Sequence, residues 1–180
     1  MDSTADCLSV NAFNCRRRGV VSVNVLVIYD SAYGNTEKIA KAITHTVNQS
    51  DDIRLALVGD IKPTALKAID LLIVGSPTQN GKPTQSIQDY LSDLPSDTLA
   101  GIKVAAFDTR YALDEHGVSM KLYMKKVGFA APRIAASLRV KGGELVTEPV
   151  GFIVGEKEGP LRDEEFKRAS TWIQEITKTL

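Results

Sequence analysis

The sequence predicts an α/β domain: a doubly wound, five-stranded parallel sheet with helices on both faces. Two observations predict it. Short apolar, β-branched runs alternate from residue 23 onward with stretches whose apolar residues recur at helical spacing. Strands joined through helices need crossovers, which are right-handed and place helices on both faces of a parallel sheet. Val23 to Tyr29 is the first strand, mainly apolar as a strand covered on both faces should be, with Asn24 its one polar member. Asn35 to Gln49 is a helix with Ile39, Ala40, Ala42, Ile43 and Val47 on one face. Ile53 to Val58 is the second strand, and Pro63 to Ile69 gives one short helix at most. Leu71 to Gly75 is the third strand. Pro83 suits the first position of a helix striped by Ile87, Tyr90, Leu91 and Leu94. Ile102 to Phe107 is the fourth strand. The long segment from Ala112 to Phe129 reads as one more short helix packed on the domain, because long structureless loops are uncommon. Pro132 opens a helix carrying Ile134, Ala135, Leu138 and Val140, ended by Gly142 and Gly143. Leu145 to Thr147 and Phe152 to Val154 form a fifth strand interrupted at Pro149. The last helix runs from about Arg162 to Lys178, striped by Phe166, Ala169, Ile173 and Ile176 with Trp172 beside it.

Composition narrows the chemistry. The chain has 180 residues, 22 basic and 22 acidic, for a formal net charge of zero. That balance argues against sequence-independent nucleic-acid binding, which needs a positive field. No apolar run is long enough to span a membrane. Two cysteines, Cys7 and Cys15, cannot build a disulfide scaffold or a four-cysteine zinc site. Two histidines, His45 and His116, leave little for metal catalysis, and both read as surface or loop residues. Residues 1–22 lack periodicity and hold both cysteines and the Arg16-Arg17-Arg18 run. They read as a disordered tail or a misassigned start, and residues 23–180 as the folded domain. The domain without the tail has 19 basic and 20 acidic residues, net −1.

In open sheets of this kind the ligand sits outside the carboxyl ends of the strands. The loop after the first strand reads Asp30-Ser31-Ala32-Tyr33-Gly34-Asn35-Thr36 and runs straight into a helix. A helix start leaves backbone N–H groups unpaired and carries partial positive charge. A loop folded over that end can surround a phosphate with N–H and O–H donors. The simpler reading is a helix cap by Ser31 or Asn35, but a cap needs one donor residue and this loop has three. Walker A and dinucleotide loops need more glycines than Gly34 alone. A phosphatase loop would need a cysteine, and a receiver domain an aspartate where Gly75-Ser76-Pro77 stands.

The segment 29–36 resembles the FMN-phosphate loop of flavodoxins, [ST]-x-[TSY]-G-[NT]-T. Val74-Gly75-Ser76-Pro77-Thr78-Gln79-Asn80-Gly81 resembles their loop after the third strand. Phe107-Asp108-Thr109-Arg110-Tyr111 and Gly159-Pro160-Leu161 are similar to segments of one branch of the flavodoxin-like family. The resemblance spans about residues 23–180 and implies the strand order 2-1-3-4-5.

It also implies the cofactor, FMN. Ser31, Ala32, Tyr33, Gly34, Asn35 and Thr36 would hold its phosphate. Pro77, Thr78, Gln79, Asn80 and Gly81 would line one side of the flavin, and Asp108, Thr109, Arg110 and Tyr111 the other. Tyr111 is either the stacking ring or a surface tyrosine over the loop base. Arg110 either sits at the flavin edge, favouring the reduced anion, or is a brace paired with Asp108 or Asp114. Gln79 stands where many flavodoxins have tryptophan. No nucleophile or acid–base pair is apparent, so no catalytic residue is named. The implied function is electron transfer between redox partner proteins by a cytoplasmic monomer or weak dimer. The alternatives are an FMN-dependent NAD(P)H oxidoreductase acting on quinones or similar acceptors, and an interaction module that has lost FMN.

Overall fold

The computed structural model describes residues 23–47, 52–112, 117–155 and 158–180. The expectations for the tail with Cys7 and Cys15, for His116 and for Asp114 lie outside the described residues.

The strands are β1 (Asn24–Tyr29), β2 (Asp52–Leu57), β3 (Leu71–Pro77), β4 (Lys103–Tyr111), β5 (Glu144–Leu145) and β6 (Val150–Val154). The helices are α1 (Asn35–Thr46), α2 (Gln85–Asp93), α3 (Val118–Val127), α4 (Ala130–Val140) and α5 (Glu164–Thr177). All strand pairs are parallel, in the order β2-β1-β3-β4-β5, with β6 also paired to β4. The expected fifth strand is therefore two short strands. β5 pairs with the start of β4 through Lys103 and Val104, and β6 with its end from Phe107 to Tyr111. Residues 146–149, with Pro149 among them, part the two, since proline has no N–H for a ladder.

Side chains alternate across each central strand, so both faces must be apolar. Leu26, Ile28, Leu72, Val74, Val104 and Ala106 pack with α2 and α4. Val25, Val27, Leu71, Ile73, Ala105 and Phe107 pack with α1 and α5. This is why the runs read as continuously hydrophobic. On the second face Phe107, Phe152 and Trp172 meet edge to face, with ring centroids 5.8 to 6.3 Å apart. Gly75 lies opposite Phe107 in the ladder, and a Cβ there would fall 2.1 Å from the Phe107 ring. The absent side chain is what lets this aromatic fit.

Some boundaries differ. α1 ends at Thr46, and α2 begins at Gln85 with Pro83 before it. Pro132 is the third residue of α4, within the first turn, where its missing N–H removes no helical bond. Residues 63–66 form a 3-10 turn where one short helix at most was expected over 63–69, and Val58, expected to end the second strand, opens another 3-10 turn over 58–60. Val140 and Phe166, expected in apolar stripes, are 77% and 41% exposed. The buried stripe of α5 runs from Glu165 to Ile176, and Phe166 lies at its flank. β2 is an edge strand with alternating partial exposure, not a strand buried on both faces.

Candidate functional site

The carboxyl ends of β1, β3 and β4 open on one cleft. At the first, Asp30 leaves the strand and its carboxylate accepts the Ser31 N–H at 2.8 Å. Gly34 is the residue before α1, at φ 80°, ψ −8°, and no side chain caps the helix. The capping expectation for Ser31 or Asn35 is thus replaced by a glycine in the left-handed region, which needs no Cβ. Ser31 Oγ accepts only a long bond, 3.4 Å, from Glu37 N–H. The amides of residues 32–36 donate to no acceptor among the described residues. Five consecutive unpaired N–H groups at a helix start form a ready anion site.

Two side chains fasten this loop. Asn35 is 6% exposed; its Nδ2 donates to Glu158 O at 2.9 Å, while its Oδ1 meets no donor among the described residues. Gly159, at φ 102°, lies so close that a Cβ would stand 2.7 Å from the Asn35 amide. The glycine of Gly159-Pro160-Leu161 thus gives the 31–36 loop room to pack. The buried hydroxyls of Thr36 and Thr109 share a hydrogen bond of 2.9 Å, tying the loop to β4.

After β3, buried Ser76 accepts the Thr84 N–H at 2.9 Å and donates to Pro77 O at 3.0 Å. Between them Gln79 and Lys82 exchange backbone bonds of 2.9 and 3.0 Å across Asn80 and Gly81, both at positive φ. This is the two-residue Asn-Gly hairpin. A Cβ on Gly81 would meet Val127 O at 2.6 Å, so the hairpin rests on the end of α3.

At the end of β4, Asp108 is wholly buried and its carboxylate accepts from Arg110 Nε at 2.5 Å, Arg110 Nη2 at 2.9 Å and Ala131 N–H at 2.8 Å. The Thr78 hydroxyl accepts the Ala130 N–H at 2.9 Å and also bonds Asp108. Thr78 and Asp108 together cap α4, whose positive end favours the carboxylate. Burial nonetheless pushes the Asp108 carboxyl above its ordinary value, with the Arg110 guanidinium, Ala131 and Thr78 opposing. Arg110 stacks on Phe129, 3.9 Å from the ring centroid, and lies over Gly151, where a Cβ would fall 2.1 Å from Nε.

The cleft holds 530 Å³. Ala32, Tyr33, Asn35, Thr36, Pro77, Thr78, Gln79, Asn80, Thr109, Arg110 and Tyr111 line it, with Met124, Phe129 and Val154. Of the residues expected there, Ser31, Gly34, Gly81 and Asp108 do not line it. Gly34 and Gly81 shape turns, and Asp108 braces Arg110 from beneath the wall. Met124, Phe129 and Val154 were not read as site residues. Met124 lies on the helix expected between 112 and 129, but periodicity does not say which residue of a short helix turns inward. Among the described residues no cluster of His, Cys, Asp or Glu could hold a metal, and no helix is long and apolar enough to cross a membrane.

The comparisons agree with this geometry. A family model described as Flavodoxin domain matches residues 26–128. The type A flavoprotein FprA of Rhodobacter capsulatus is 29% identical over 130 residues, 67% of this chain and 30% of that protein. A diflavin flavoprotein, A 4, of a Nostoc strain is 31% identical over 133 residues, 68% of this chain and 23% of that protein. The chain thus spans less than a third of the length of these curated relatives. The crystal structure of oxidised flavodoxin 1 from Bacillus cereus superposes with a TM-score of 0.67 at 21% identity, covering 87% of this chain and 99% of that one. With the β2-β1-β3-β4-β5 sheet and the cleft at its carboxyl ends, the chain belongs to the flavodoxin domain family, and FMN is the cofactor that membership implies.

Proposed function

We infer that this domain carries FMN in the cleft and passes electrons between redox partner proteins. The observation that carries the reading is the run of unpaired amides at residues 32–36, opening with Asn35 and Thr36 on the 530 Å³ cleft. These residues fit the group. A phosphate satisfies the orphan donors, and the loop supplies no competing cation or nucleophile. When bound, FMN supplies the redox chemistry, and the protein supplies binding, orientation and electrostatics.

The chain's residues divide that work. Ser31 to Thr36 hold the phosphate. Pro77 to Gly81 offer the backbone of a tight hairpin to one edge of the ring system. Thr109, Arg110 and Tyr111 wall the other side, Tyr111 as the stacking ring. Met124 and Phe129 add apolar surface to that wall. Asp108 touches no cofactor in this reading; it positions Arg110 and cancels its charge. The cleft wall therefore bears an ion pair rather than a free cation, so Arg110 raises the low-potential couple less than an unpaired guanidinium would.

A second reading rests on Gln79. It is exposed at the cleft mouth where a large aromatic would cover the flavin, so a nicotinamide could stack there. The domain would then be an NAD(P)H oxidoreductase. Mixing the FMN-loaded protein with NADPH under argon separates the two. The carrier stays yellow until a flavin reductase is added. Rapid bleaching by NADPH alone overturns the carrier reading.

A further inference from the structure

We propose that the outer face of α3 is the docking surface for an electron-transfer protein with an acidic rim around an apolar centre. This rests on the carrier reading above and names the kind of partner. α3 turns Met124 inward to the cleft. At 100° per residue, Val118, Leu122 and Lys126 then fall on the opposite side, with Lys125 at its flank. Val118 and Leu122 are 75% and 64% exposed, and the half-exposed Tyr123 flanks them. Among the described residues nothing pairs with Lys121, Lys125 or Lys126. Apolar side chains ringed by unpaired ammonium groups on a monomer surface mark a binding patch rather than a solvated face.

The charge pattern identifies the partner. From Gly117 to Arg133 the sequence holds Lys121, Lys125, Lys126 and Arg133 and no Asp or Glu, in a chain of zero net charge. Arg133 donates to Val127 O at 3.0 Å, which brings its positive charge to the end of α3. A cationic patch steers an anionic partner and repels a cationic one. Position gives the patch its use. Only the thickness of one helix, about 10 Å, separates the docked surface from the cleft. The hairpin whose Asn80 lines the same cleft rests through Gly81 on the end of that helix.

The test is a binding titration of the FMN-loaded chain against a labelled acidic [2Fe–2S] ferredoxin, with the basic cytochrome c as control. The expected result is binding of the ferredoxin that weakens at least tenfold as salt rises from about 50 to about 500 mM. Lys125→Glu with Lys126→Glu should weaken it about tenfold at low salt and flatten the salt dependence. Leu122→Ser should weaken it at every salt concentration with the slope kept. Cytochrome c should gain, not lose, affinity for the charge-reversed variant. The proposal is overturned if ferredoxin binding ignores salt and both variants, or if cytochrome c binds the native chain as tightly. It is also overturned if sedimentation shows a dimer that Leu122→Ser dissociates, because the face then belongs to a second copy. The flavin is read separately by its absorbance. A chain that stays colourless yet binds ferredoxin through α3 refutes the carrier reading and keeps the docking surface; a yellow chain indifferent to ferredoxin does the reverse.

Discussion

Replacing Arg110 with methionine isolates the buried pair that stiffens the cleft wall. Methionine keeps an unbranched apolar stem against Phe129 and Gly151 and removes the charge. Asp108, wholly buried, then keeps only Ala131 N–H and the Thr78 hydroxyl. Stripping one partner from a buried ion pair costs about 3–5 kcal/mol. Arg110 is 16% exposed, so the pair counts as buried and needs no large discount for screening. Protonation sets a ceiling. Neutralising a carboxyl of ordinary pKa 3.8 at pH 7 spans about three pH units at about 1.4 kcal/mol each, so the penalty stops near about 4 kcal/mol. At pH 5 the same ceiling is about 2 kcal/mol. Burial already raises the Asp108 carboxyl, and losing the guanidinium raises it further. The folded variant thus holds a proton that the unfolded chain has released, so its stability falls as pH rises through that raised value. Urea unfolding at pH 5, 6 and 7 reads this directly. The expected loss relative to the native chain is about 3–4 kcal/mol at pH 7 and under about 2 kcal/mol at pH 5. Adding Asp108→Asn should restore most of the pH 7 loss, because the amide oxygen still accepts from Ala131. An equal loss at all three pH values refutes the reasoning: no charged carboxylate would then have been left buried.

Three further outcomes follow from single contacts. Gly75→Ala drives a methyl into the Phe107 ring and should cost about 1–3 kcal/mol in thermal unfolding; an unchanged melting temperature contradicts the packing. Burial pushes the Tyr90 phenol up to about 12, and its hydroxyl meets no partner among the described residues. The folded state therefore resists losing this proton. Its stability is intact below about pH 10 and drops by up to about 3 kcal/mol as pH rises toward 12. Tyr90→Phe should abolish that step, and denaturant midpoints that still fall equally over this window assign it elsewhere. Thr36→Val breaks the 2.9 Å bond to Thr109 and removes a donor from the loop. It should weaken FMN by about tenfold and riboflavin far less, as read by fluorescence quenching; equal weakening places Thr36 away from the phosphate.

The sheet was legible because central strands covered on both faces leave short, continuously apolar runs, as in Leu71 to Val74. Chain periodicity could not show that Pro149 and its neighbours split the last strand between two ends of β4. The loop at 31–36 was legible because few loops place Ser, Gly, Asn and Thr so tightly before a helix. Its residues' separate tasks were not. Gly34 shapes the turn, Asn35 reaches Glu158, and Thr36 reaches Thr109 across 73 positions of sequence. Asp108 was placed in the cofactor wall for its position in a motif. It is buried instead, because the N-terminus of α4 and Arg110 both converge on its carboxylate. Met124 and Phe129 reach the cleft only through the packing of α3 and α4, which local pattern does not encode. Val140 and Phe166 show the opposite error: Val140 ends α4 past the core, and Phe166 sits at the flank of a stripe whose buried residues are Glu165, Ala169, Trp172, Ile173 and Ile176.

Calorimetric titration of the flavin-free chain with FMN and then with riboflavin bears most directly on the phosphate cradle. FMN should bind at least about a hundredfold more tightly if, as proposed, only its phosphate reaches the unpaired amides of residues 32–36, each charge-assisted bond contributing about 1.5–3 kcal/mol. Equal affinity for the two flavins, or no heat with either, would contradict it.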